Sequence, residues 1–281
     1  MKIFFSSRCL EYEFPGHPES PERVRISGDY LRGKGRHFAE PSPCAEQQIL
    51  AVHARRLVES VRTGGFYDPD TPALPGIYDY ALLAAGSAVG AMECALGGEA
   101  SFSLMRPPGH HAEKARSMGF CYFNNMAVAV AASLSRVERA AIVDIDCHHG
   151  NGTEDIVLGD RRVLFVSLHQ SPLYPGTGLS SRQNCLNFPL SPGTDGPPYL
   201  AALRDALERV EEFDPGVVGV SAGFDTYRND PLTAFALDLD DYREIGRMLG
   251  GLRRPLFSLL EGGYDRALPA CIESYLEGMG G

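Results

Sequence analysis

The chain has no Cys-x-x-Cys pair, and its seven cysteines are odd in number and scattered over 281 residues. That excludes a structural zinc knuckle and leaves no disulfide framework, so reduced thiols in a cytoplasmic protein are expected. No apolar run approaches membrane-spanning length, and the one at Met1-Lys-Ile-Phe-Phe5 is too short for a signal peptide. Basic charge is scarce: 26 Lys and Arg face 36 Asp and Glu, a net charge of −10. This balance argues against nonspecific nucleic-acid binding and mildly favours cationic substrates. Linkers and internal repeats are missing too, which predicts one domain over residues 1–281 with a substantial core.

What is present is an alternation of strand and helix. Strands are expected over 2–7, 100–105, 162–168, 217–221 and 256–260, and another opens at Ala140. Helices are expected after Ser20-Pro21, with Ser20 as N-cap, and over 45–53, 56–62, 78–96, 126–135, 199–213 and 241–249, with another starting near Thr153. Residues 64–76, rich in Gly, Pro and Asp, read as a loop at the rim of a site. The pattern predicts an α/β domain with a parallel sheet.

The stretch Ala140-Ala-Ile-Val-Asp-Ile-Asp-Cys-His-His-Gly-Asn-Gly-Thr153 organises the rest. It opens as a strand buried on both faces, then admits Asp144, Asp146 and His148. Side chains two apart on extended backbone share a face, so Asp146 and His148 can grip one ion. A second pair, His110-His111, sits on a stiff loop after Pro107-Pro108, so four of the eight histidines occur in two adjacent pairs. Asp225 follows another strand, and Glu261-Gly-Gly-Tyr264 follows the last. Open α/β sheets place ligands at the carboxyl ends of their strands, and candidates lie after five of them. His17, isolated in a loop, reads as structural.

Arg106-Pro-Pro-Gly-His-His111, Gly119-Phe-Cys-Tyr-Phe-Asn-Asn125, Asp144-Ile-Asp-Cys-His-His-Gly-Asn-Gly-Thr153, Gly223-Phe-Asp225 and Glu261-Gly-Gly-Tyr264 resemble the metal-dependent histone deacetylase and acetylpolyamine amidohydrolase superfamily. The class II branch, with Gly-Asn-Gly-Thr after the paired histidines, is the nearer likeness. The resemblance runs from His17-Pro-Glu-Ser-Pro-Glu-Arg23 onward and implies an arginase-like fold, a mainly parallel eight-stranded sheet flanked by helices. It also implies hydrolysis of an N-acyl, usually N-acetyl, amide on acyl-lysine or a small amine such as an acetylpolyamine.

Roles follow by resemblance, residue by residue. Asp146, His148 and Asp225 would hold a divalent ion, zinc or, in the cell, iron, which acidifies a water and polarises the carbonyl. His111 would be general base and then acid, oriented by Asn151; His110 would be its electrostatic partner, oriented by Asp144. Tyr264 would donate to the oxyanion. Phe120 and Tyr174 would wall a narrow channel, with the Gly119 carbonyl accepting a hydrogen bond there. Arg23 would line the pocket through which acetate leaves, and K⁺ or Na⁺ would sit beneath the site with Asp144, Ser167 and Leu168.

Three features depart from the family pattern. Tyr174 stands where Phe is usual, and Leu232 where polyamine-selective relatives of one branch carry Glu. The acid that clamps substrate at the rim is Asp68 or Asp70. Two alternatives share the fold: a ureohydrolase with two manganese ions, disfavoured because Asp225 has no paired carboxylate, and a non-catalytic acyl-amine sensor, disfavoured because His110, His111 and Tyr264 are all present.

Overall fold

The computed structural model describes residues 1–280. Eight strands form one sheet: β1 Lys2–Phe4, β2 His37–Ala39, β3 Ser101–Ser103, β4 Ala140–Asp144, β5 Val163–Gln170, β6 Cys185–Leu190, β7 Val217–Ala222 and β8 Leu256–Leu260. Their order is β2-β1-β3-β8-β7-β4-β5-β6, and every pairing is parallel. Parallel strands need crossovers, which the helices supply: α1 Pro21–Gly33, α2 Glu46–Leu50, α3 Arg55–Thr63, α4 Ile77–Leu96, α5 Asn125–Ser133, α6 Asn151–Val157, α7 Gly196–Phe213, α8 Leu239–Gly251 and α9 Leu268–Gly278. The fold class expected from the sequence is therefore observed, with all strands parallel. Among the described residues no helix is long and apolar enough to cross a membrane.

Strands β3, β4, β5, β7 and β8 are almost wholly buried, which explains their unbroken apolar runs. One core face gathers Ile3, Phe102, Val143, Val220, Leu203 and Tyr275; the other gathers Ile142, Phe165, Phe257, Ala88 and Met126. Helix α4 is buried on most sides because its alanines and glycines let chain approach closely: a Cβ on Gly86 would lie 2.0 Å from the Ser42 carbonyl.

Several boundaries differ from those expected. The first strand ends at Phe4 and turns into a short 3₁₀ segment, Ser7–Leu10. Pro21 does open α1, but the Ser20 side chain makes no capping bond. Asn124, by contrast, caps α5 by accepting from Ala127 N, and Asp238 caps α8, which begins at Leu239, two residues ahead of the expected start. Helix α6 begins at Asn151, close on the metal-ligand candidates. Strands β2 and β6 and helix α9 add to the elements expected from the sequence. β2 has three residues, and β6 contains Asn187 and Pro189, a composition that suits an edge strand.

Behind β6, the Asn184 side-chain nitrogen meets the carbonyls of Val157, Asp160 and Val163 at 2.9, 3.3 and 2.9 Å. This ties the exit of α6 to the start of β5.

Candidate active site

In a sheet with all strands parallel, every carboxyl end lies on one edge. The five adjacent strands β3-β8-β7-β4-β5 each deliver a loop there. Those loops line a cleft of about 250 Å³, where Asp146 and His148 meet His110, His111 and Tyr264. Phe120, Tyr174, Leu173, Leu232 and Asp70 form its walls and mouth.

Asp146, His148 and Asp225 present ligand atoms within 4.8 Å of one another, the single group of three such residues among the described ones. His148 Nδ1 lies 3.1 Å from Asp146 Oδ1 and 2.8 Å from Asp225 Oδ2. Asp146 Oδ2 also accepts from Gly262 N at 2.8 Å, and Asp225 Oδ1 from Cys147 N at 2.8 Å. A Cβ on Gly262 would lie 2.6 Å from Asp146 Oδ2 and 2.7 Å from Asp225 Oδ2, so only glycine lets the β8 loop pass over the ligands. Burial, together with the neighbouring charge of Asp146, pushes Asp225 up to about 7. His148 rises to about 10 because the two carboxylates outweigh its burial. Two buried carboxylates and an imidazole converging on one point suit a divalent cation.

The two neighbouring histidines differ in their partners. His110 Nδ1 faces Asp144 Oδ2 at 3.0 Å, and its Nε2 is 3.9 Å from Asp146 Oδ1. Burial alone would lower its pKa, but Asp146, Asp144 and Glu261 overrule that and lift it to about 10. His111 Nδ1 meets Asn151 Oδ1 at 2.7 Å. The Asn151 amide nitrogen is itself committed to Glu113 Oε1 at 2.9 Å, which fixes the amide's sense. His111 therefore carries its proton on Nδ1 and keeps a free lone pair on Nε2. Burial first, then the cationic His110 and His148, hold it well below its ordinary pKa.

Tyr264 stands opposite. Its backbone N donates to Asp230 Oδ2 at 2.7 Å, its ring meets the Phe120 edge at 5.9 Å, and the Arg23 guanidinium lies 4.7 Å from its ring centre. Arg23 donates to the carbonyls of Gly263 and Glu261, each at 2.7 Å, and to Glu19 Oε1 at 3.2 Å. It therefore underlies the Tyr264 loop and does not line the open cleft.

The channel walls rest on an unusual backbone. Gly119 and Phe120 have φ of +57° and +69°, and the Gly119 carbonyl accepts from Cys121 Sγ at 3.3 Å. Phe120 N donates to Thr71 Oγ1 at 3.0 Å, and His17 packs edge-on against its ring at 4.5 Å. His17 also bonds the Asp70 carbonyl at 3.1 Å, a structural role as expected. Of the two rim acids, Asp70 lines the cleft, while Asp68 is buried against Arg116. Tyr174 meets His111 at 5.2 Å and is part-exposed. Beneath the site, Asp144 and Ser167 are paired in the β4–β5 register, with Leu168 next in line.

Several contributors carried no signal in the sequence. Asp230 holds both Tyr264 N and Leu232 N. Pro108 and Leu173 line the cleft, and Glu19 pairs with Arg106 across 87 positions. Glu261 opens the Glu261-Gly-Gly-Tyr264 motif and bonds across to another loop. Its Oε2 accepts from the backbone N of Gly109 and His110, and its Oε1 from Ser221 Oγ.

Comparison with known proteins decides the family. The model of the histone deacetylase domain matches residues 17–279. The chain belongs to the histone deacetylase family. It is 39% identical to a probable deacetylase of Archaeoglobus fulgidus over 95% of this chain and 82% of the relative. The crystal structure of the HDA15 HD domain superposes with a TM-score of 0.93 at 32% identity, covering 99% of this chain and 88% of that one. The acetylpolyamine aminohydrolase of Burkholderia pseudomallei superposes with a TM-score of 0.89 at 29% identity, covering 100% and 98%. As a member of this family the chain is an amidohydrolase.

Proposed function

We propose that the chain is a zinc-dependent deacylase that removes acetyl or another acyl group from acyl-lysine or an acylated small amine. The observation that carries the reading is one cleft lined by Asp146 and His148, with Asp225 converging on them from behind, by His111 with its free Nε2, and by Tyr264. Asp146, His148 and Asp225 would hold the ion, which when bound supplies Lewis acidity at the amide carbonyl and at the attacking water. His111 Nε2 takes the proton of that water and returns it to the leaving nitrogen. Asn151 keeps the ring in the required tautomer. His110, charged and held by Asp144, stabilises the negative charge that develops beside it. The Tyr264 hydroxyl donates to the oxyanion.

Phe120 and Tyr174 enclose the aliphatic stem of the amine, with the Gly119 carbonyl beside it and Leu232 at the mouth. Asp70 is the acid we assign to the rim, where it attracts a cationic substrate. Arg23 faces the side where acetate leaves. Potassium or sodium would be held by Asp144, Ser167 and Leu168. A single group of three metal-ligating residues favours this reading over a two-metal ureohydrolase. All seven cysteines are free, which supports a cytoplasmic setting.

The test is turnover of acetyl-lysine peptides, acetylpolyamines and longer acyl-lysines by wild type and Tyr264→Phe, with metal counted by mass spectrometry. Loss of an oxyanion donor costs about 2.7–4 kcal/mol, roughly a 100- to 1,000-fold fall in kcat. Metal content should not move, because Tyr264 is not a ligand. Wild-type kcat in a metal-replete Tyr264→Phe enzyme would remove the oxyanion role.

A further inference from the structure

We propose that Glu261 is a positioning residue, a clamp that fixes the His110–His111 loop against the Tyr264 loop; the reaction it serves rests on the deacylase reading above. Glu261 directly follows β8 and is 1% exposed. Its backbone is pinned at both ends: its N donates to the Ala222 carbonyl at 3.0 Å, and its carbonyl accepts from Arg23 at 2.7 Å. From that fixed point the side chain crosses to another loop. Oε2 accepts from Gly109 N at 2.7 Å and His110 N at 3.2 Å, while Oε1 accepts from Ser221 Oγ at 3.1 Å.

These contacts answer a need created by the sequence. Pro107 and Pro108 keep the loop out of helix, so the N–H groups of Gly109 and His110 lose the partners a helix would offer. Both residues are buried, and an unpaired buried N–H is costly. Glu261 Oε2 takes both. Nor can the loop slide to find other partners, since a Cβ on Gly109 would lie 2.5 Å from Asn125 N. Three donors aim at Glu261, and a carboxylate is the side chain that only accepts.

The position matters as much as the chemistry. One residue after Glu261, Gly262 N bonds Asp146; three residues after, Tyr264 enters the cleft. A single side chain therefore sets the distance between the base on one loop and the oxyanion donor on the other. A misplacement of about 1 Å in such a constellation costs on the order of 100-fold in rate.

Glu261→Gln, Glu261→Asp and Glu261→Ala separate the clamp from general packing. Gln can aim its oxygen at the two N–H groups and its amide at Ser221, so it keeps the bridge. Asp keeps the acid but falls one methylene short. Expected for Ala is a fall in kcat of roughly 100-fold with KM nearly unchanged and metal retained, and faster amide exchange over residues 106–113. Asp should behave like Ala, which keeps the test decisive if Ala fails to fold. Gln should keep wild-type exchange and lose no more than about tenfold, the worth of one altered hydrogen bond. Wild-type exchange in both Ala and Asp, or equal loss of kcat in Gln and Ala, would overturn the clamp. Amide exchange needs no substrate, so a wild type inactive on every acyl amine would sink the deacylase reading and leave the clamp decided separately.

Discussion

Two clusters of buried charge flank the Arg106–His111 loop, and they are built in opposite ways. In the first, Arg106 is 1% exposed and uses all five of its N–H groups: two on the Glu19 carboxylate, one on the Glu19 carbonyl, and one each on the carbonyls of Cys9 and Tyr12. Glu19 also receives Arg23, and these cations hold its carboxyl below the usual range despite burial. Nothing is missing. In the second, Asp144, Asp146 and Asp225 crowd around His110 and His148, carboxylates face one another, and Asp225 is pushed up to about 7. Its Asp146, His148 and Asp225 ligand atoms converge as a bound cation would require. Closed pairing marks the first as scaffold, and converging ligand atoms mark the second as a candidate site.

The largest expected effect lies in the second cluster. Asp225→Asn keeps the acceptor for Cys147 N and removes one carboxylate from the candidate metal group, so bound metal and turnover should both be lost while the chain stays folded. Full metal occupancy with normal turnover would strike Asp225 from the ligand set. Glu19→Gln tests the other cluster. Breaking a buried ion pair from one side costs about 3–5 kcal/mol, so thermal stability should fall steeply while the surviving folded enzyme still binds its metal. Unchanged stability there would mean that the network is not the scaffold described.

The smallest effect is one of pH. His111 is held low, so its unprotonated form survives as the solution is acidified, and the acid limb of kcat/KM should lie below pH 6.5, the ordinary value for histidine. His110, lifted to about 10, stays charged across that range. His111→Ala should therefore cost more than His110→Ala, since it removes the proton carrier and not only a charge. An acid limb above pH 6.5, or equal losses in the two metal-replete variants, would contradict this asymmetry.

The site cluster was legible in the sequence because its logic is local. Asp144, Asp146 and His148 alternate along one strand and its exit, and paired histidines on a Pro-Pro loop are conspicuous. The parallel sheet was legible for the same reason, through apolar runs of strand length. The scaffold cluster was not, because no spacing rule joins Glu19 to Arg106. Glu261 was hidden in the same way: its partners are backbone groups 151 and 152 positions away, which leave no trace in residue identity. Short edges such as β2 escaped because three residues carry too little pattern to read.

The two walls of the channel are unequal in what they permit. Any L-residue at 120 inherits a left-handed backbone, a conformation that costs roughly 1–2 kcal/mol, and a side chain at 119 would sit 2.4 Å from the His111 ring. Trimming Phe120 would invite that backbone to relax and carry His111 with it, so this wall can hardly be retuned without touching the catalyst. Tyr174 lies part-exposed on a separate loop, free of that debt. The bore of the channel is thus adjustable from one side only, and a search for variants with altered acyl-amine preference has its natural starting point at residue 174.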